Sequence, residues 1–71
     1  MGGTQVLETI NAEMGRRKMR PGEVWPAADM TRHRWYYIQR NPDALTVVEL
    51  GKLAHVLGLE PSVLVEQAAA A

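Results

Sequence analysis

Cysteine is absent from this 71-residue chain, which excludes disulfides and thiolate metal sites. Histidine occurs only as His33 and His55, far apart in sequence. No Ser–His–Asp arrangement, metal-ligand spacing or phosphate-binding glycine loop is present, and a chain this short has little room for a deep pocket. Catalysis is therefore not expected, and no cofactor or metal is expected. No apolar run approaches the roughly 20 residues needed to cross a bilayer. The opening "MGGTQVLETI" has neither the basic nor the apolar region of a signal peptide. The expectation is a soluble, cytoplasmic protein. Alternating strand patterns with turn punctuation are also missing, so the fold class expected is all-α.

An excess of charge of one sign is missing as well: eight Lys and Arg balance eight Asp and Glu. The balance conceals a polarity. Residues 16–40 hold Arg16, Arg17, Lys18, Arg20, Arg32, Arg34 and Arg40 against Glu23 and Asp29, a net +5. Residues 1–15 carry −2 and residues 41–71 carry −3. A basic middle between acidic ends is the footprint of a face that binds a polyanion, although an ordinary solvated surface can share it.

The 46% hydrophobic content is enough for one small globular domain over residues 1–71. Its core is expected over about residues 4–66, with the final "AAAA" frayed. Five helical segments can be read. Thr4 is a candidate N-cap for the first, with Val6, Leu7, Ile10 and Met14 on one stripe and "GRRK" at its basic end. The second runs from Pro21 to about Ala28. Pro21 suits a first helical position, whereas Pro26 requires the helix to be short, kinked or late in starting. Asp29 then tolerates a left-handed turn.

The third helix is capped by Thr31 and stopped by "NPD", residues 41–43. The fourth opens with a capping box, "TVVE", and carries Val47, Leu50, Leu53, Ala54 and Leu57 at helical spacing up to Gly58. Pro61 opens the fifth. If Leu64 faces inward there, Val63 and Val65 flank it and at least one is partly exposed. His55, mid-helix, reads as a surface or half-buried packing residue.

"TRHRWYYIQR", residues 31–40, is the densest mixture of cations and rings in the chain. At 3.6 residues per turn, Trp35 and Ile38 share one face with Thr31, and His33, Tyr36, Tyr37 and Arg40 share the opposite one. Arg32 and Arg34 flank the first turn. Such a helix suits the major groove, where Arg bonds guanine through two donors and tyrosine offers a hydroxyl and a ring. The plainer alternative is that the tyrosines cover a small core and the arginines are solvated.

Residues 7–65 resemble the lambda-repressor-like, Cro-type helix-turn-helix domains. "INAEMGRRKM" looks like the family's first helix and basic exit. "PGEVWPAADMTRHRWYYIQR" occupies the helix-turn-helix, with Met30 at the apolar turn position and Trp35 and Ile38 at the buried ones. "TVVELGKLAHVLGLEPSVLV" is similar to the fourth and fifth helices, and "LAHVLGLEPSVL" is its most family-like part. The resemblance implies a compact five-helix bundle that binds double-stranded DNA and regulates transcription. It places base contacts on Arg32, His33, Tyr36 and Tyr37, and phosphate contacts on Arg20, Thr31, Arg34, Arg40 and Asn41.

The sequence departs from the family pattern at Trp25, where a small residue is usual, at Asp29, where a turn glycine is usual, and at Pro26. Trp25 is expected either outward, against the Arg16–Lys18 cluster, or over an edge of the core. A stand-alone domain of this kind looks like a phage Cro-type repressor or lysogeny switch protein. Its partner would be a palindromic operator, bound by a monomer or weak homodimer that dimerises on the DNA. An antitoxin-type autorepressor and a protein-interaction module that does not bind DNA are the alternatives. A module held to its partner by aromatic hot spots would show a weak salt dependence.

Overall fold

The computed structural model describes residues 2–69. It is all-α: α1 (Gly3–Arg16), α2 (Pro21–Ala27), α3 (Arg32–Arg40), a 3-10 turn (Pro42–Ala44), α4 (Val47–Leu57) and α5 (Pro61–Ala69), with no strand among the described residues. No helix in that range is long and apolar enough to cross a membrane.

One core gathers the stripes. Val6, Ile10 and Met14 from α1, Val24 from α2, Trp35 and Ile38 from α3, Leu50, Leu53, Ala54 and Leu57 from α4, and Leu64 from α5 are all buried in a single cluster. Val47 does not join it. At the first position of α4 it lies beyond the core edge and is 69% exposed, so the apolar stripe of this helix starts one turn later than its spacing suggests. His55 is exposed.

Three helices end by the same device. Lys18, Asp29 and Gly58 adopt left-handed backbone angles, with φ of 56°, 57° and 67°. In each case the amide of the next residue reaches a carbonyl five residues back: Met19 to Met14, Met30 to Trp25, and Leu59 to Ala54, at 2.8–2.9 Å. These bonds satisfy helix-end carbonyls that would otherwise lack donors. They also turn an apolar side chain back onto the core, where Met30 is buried and Met19 and Leu59 are partly buried. Only Gly58 is an obvious stop signal in the sequence. Lys18 pays the steric penalty of a left-handed non-glycine residue, and Asp29 bears a smaller one.

The start of α1 corrects the Thr4 cap. Gly3 is already helical, Gly2 precedes it as the cap residue, and Thr4 is exposed. Both glycines are buried. A Cβ on Gly3 would lie 2.7 Å from the Pro42 carbonyl carbon and 2.8 Å from the Asp43 nitrogen, and one on Gly2 would overlap the Gln67 backbone. The absence of side chains here lets α1 approach the 3-10 turn and α5 closely. At the other end, Ala68 and Ala69 belong to α5, while Ala70 and Ala71 lie outside the described residues.

Arg34 and Glu49 join α3 to α4. The Arg34 Nε donates to Glu49 Oε2 at 2.7 Å and its Nη2 donates to Glu49 Oε1 at 2.9 Å and to the Ala44 carbonyl at 2.7 Å. Glu49 completes the capping box by accepting from the Thr46 backbone N–H at 2.9 Å. The Arg34 guanidinium, followed by the Thr46 amide, holds the Glu49 carboxyl down to about 2 against the partial burial that opposes it. The ordinary glutamate value is about 4.3. A carboxyl whose folded value is depressed stabilises the fold above its unfolded value and loses that contribution as pH falls through the folded value.

The thermal midpoint is therefore expected to drop as pH is lowered from about 4.3 to about 2. Glu49→Gln keeps a side chain that can cap and should make that drop shallower. Scanning calorimetry between pH 2 and pH 7 checks this, and parallel curves for the two proteins would refute it. Glu13 adds to the acid sensitivity of both proteins, since its hydrogen bonds to Arg16 and Arg17 lower its carboxyl below the usual range.

Candidate nucleic-acid interface

α3 carries the candidate surface. Thr31 caps it as its sequence predicts: the Oγ1 accepts from the Arg34 amide at 3.1 Å, leaving the hydroxyl proton free to donate outward. The inner edge is apolar, with Trp35 2% exposed and Ile38 fully buried. The outer edge carries Arg32, His33, Tyr36, Tyr37 and Arg40, all exposed, and the two tyrosines are each 47% accessible. About half of each ring is therefore covered and half is open to solvent.

Asn41 follows α3 directly. Its backbone N–H and its side-chain Nδ2 both donate to the Tyr37 carbonyl, at 2.9 and 3.1 Å, closing the helix just before Pro42. One amide proton of Asn41 is left for an outside acceptor. Arg20 stands at the head of α2, where its backbone N–H donates to Glu23 Oε1 at 3.3 Å and its side chain is exposed.

The charge pattern is sharper in space than in sequence. Of the seven cations between residues 16 and 40, Arg16 and Arg17 share Glu13, which is nearly buried between them, and Arg34 pairs with Glu49. Asp29 in the turn before α3 is matched by Lys52 at 3.2 Å. Among the described residues, Lys18, Arg20, Arg32 and Arg40 have no carboxylate within salt-bridge distance. Three of these are residues expected to meet DNA.

Arg34 needs a correction. Its Nε and Nη2 are taken by Glu49 and Ala44, which leaves only the two Nη1 donors of a one-third-exposed side chain for an outside acceptor. Its first role is as a tie between α3 and α4, and any outside contact it makes is secondary to that one.

Trp25 lies over the edge of the core rather than outward against Arg16–Lys18. It is partly buried, and its ring centroid is 6.2 Å from that of Trp35 and 5.9 Å from that of Tyr36. Pro26, one residue before the end of α2, is accommodated because the helix stops there. The indole thus backs Tyr36 from the core side. The Arg32 guanidinium carbon lies 5.8 Å from the Tyr36 ring centroid, and that of Arg34 lies 5.6 Å from the Tyr37 centroid, both within cation–π range.

Each tyrosine is thus held by a different set of neighbours, and neither set could be assigned from the sequence. The Arg32–Tyr36 and Arg34–Tyr37 pairs have helical spacing. Trp25 and Glu49 come from other helices and gave no local signal. Among the described residues, no group of His, Asp and Glu gathers where it could hold a metal ion. The chain matches no protein-family model, no curated protein and no solved structure.

Proposed function

We propose that this protein is a sequence-specific double-stranded DNA-binding regulator of transcription, of the lambda-repressor-like helix-turn-helix kind, acting as a Cro-type repressor or lysogeny switch. The observation that carries the reading is the outer face of α3, where two half-exposed tyrosines stand between Arg32 and Arg40, neither of which has an acidic partner. An α-helix such as this nine-residue one is about 10–12 Å across with its side chains. The major groove, about 12 Å wide, accepts such a helix.

In this reading Arg32, His33, Tyr36 and Tyr37 face base edges. Arg20, Thr31, Arg40 and Asn41 bracket them on the phosphates, where contacts set register without reading sequence. One copy covers a short half-site, so two copies on a palindrome are needed for useful affinity. Val63 and Val65 of α5, 44% and 37% exposed beside the buried Leu64, are the apolar surface proposed to join them.

Selection of bound duplexes from a random pool tests the reading. The expected product is an enriched palindrome with half-site centres about 34 Å apart. Its affinity should fall steeply with salt, with a log–log slope of about −0.9 for every phosphate neutralised. A pool without enrichment, together with nearly salt-independent binding to a protein partner, would favour the protein-interaction module instead.

A further inference from the structure

The two neighbouring tyrosines of α3 are held in unlike ways. Tyr36 touches Trp25 and Arg32, and Arg32 itself is exposed and without an acidic partner among the described residues. Tyr37 lies against Arg34. That guanidinium is fixed at three points, the two Glu49 carboxylate oxygens and the Ala44 carbonyl. Glu49 is in turn fixed by Thr46, whose backbone N–H and hydroxyl both donate to Oε1, at 2.9 and 3.2 Å. The chain of contacts therefore runs from the first turn of α4, through a planar cation, to one aromatic ring. Among the described residues, the Tyr37 hydroxyl has no hydrogen-bond partner, and the Arg34 guanidinium lies 5.6 Å from its ring centroid.

We infer that Arg34 is a positioning residue for Tyr37: anchored to Glu49 and Ala44, its guanidinium plane sets the direction in which the Tyr37 ring leaves α3, and so sets the base preference of that one side chain. This rests on the DNA-binding reading above. Arg34 touches no DNA in it. Pre-setting the ring lowers the cost of ordering a rotamer-rich surface on binding. The planar fork matters, because a lysine ammonium is a point charge without the rigid two-donor edge that matches the Glu49 carboxylate.

The test combines pool selection with NMR of the Tyr37 ring protons in the free, full-length protein, for wild type, Arg34→Lys, Tyr37→Ala and the double variant. Glu49→Gln serves in place of Arg34→Lys should the latter not fold. The expected result is that Arg34→Lys moves the Tyr37 ring resonances toward their unfolded positions and leaves those of Tyr36 in place. Preference at one base pair should fall about fivefold or more, at the same position that Tyr37→Ala affects. The double variant should lose no more than Tyr37→Ala alone. An unmoved Tyr37 ring, a loss spread evenly over all positions of the site, or additive losses in the double variant would each overturn the inference. If wild type selects no DNA at all, the DNA reading fails and this inference falls with it. A ring released in Arg34→Lys would then identify the functional reading as the part that failed.

Discussion

Trp35→Ala is expected to cost about 3–5 kcal/mol of stability, the range for aromatic truncations in cores. Trp35 is the largest of the fully buried side chains and shares the one core cluster with residues of all five helices. Its ring also supports Trp25 across the α2–α3 boundary. A domain of this size has little stability to spare, so the variant should be largely unfolded at 37 °C. Far-UV circular dichroism with a urea titration reads the result. A helical Trp35→Ala protein with an unchanged urea midpoint would show that the inner face of α3 is not held by this residue. Trp25→Ala provides the contrast: the indole is only partly buried, so its loss should cost less than that of Trp35.

The second large effect concerns recognition. Arg32→Ala should cost about 1–3 kcal/mol on the preferred site and relax preference at a single base pair, because a guanidinium aimed at a base edge supplies discrimination as well as attraction. Arg40→Ala should weaken selected and random duplexes in the same proportion and flatten the salt slope by about one unit. Both residues are exposed on α3 and have no acidic partner among the described residues, so their charge is available to a ligand in full. Fluorescence anisotropy on both kinds of duplex, over a range of salt concentrations, separates the roles. Equal proportional losses from the two substitutions would mean that Arg32 also contacts only the backbone.

These outcomes bear on how such a face is built. Seven cations in residues 16–40 look like one basic stretch, but three of them serve the fold. Arg16 and Arg17 compensate Glu13 at the end of α1, and Arg34 fastens α3 to α4. Internal pairing thus leaves a narrower set of cations without acidic partners among the described residues: Lys18 after α1, Arg20 at the head of α2, and Arg32 and Arg40 at the two ends of α3.

What the sequence by itself determined are the features that depend on residues within a turn or two of one another. The Thr31 and Thr46 caps, the stop at Asn41–Pro42, the left-handed Asp29 and Gly58, and the inner and outer edges of α3 all lie where spacing and side-chain type put them. Helical periodicity and capping are local physics, with the partners three or four residues apart. The tertiary structure decided the rest. It started α1 at Gly3, a position where the backbone of Pro42 and Asp43 leaves no room for a side chain. It left Val47 in solvent, because the core ends a turn further along α4. It set Trp25 against Trp35 and Tyr36, and it tied Arg34 to α4 by placing Glu49, fifteen residues away in sequence, within 2.7 Å of it. Charge pairing and ring packing depend on distances of a few ångströms between groups that are remote along the chain, so they exist only once the helices have been packed together.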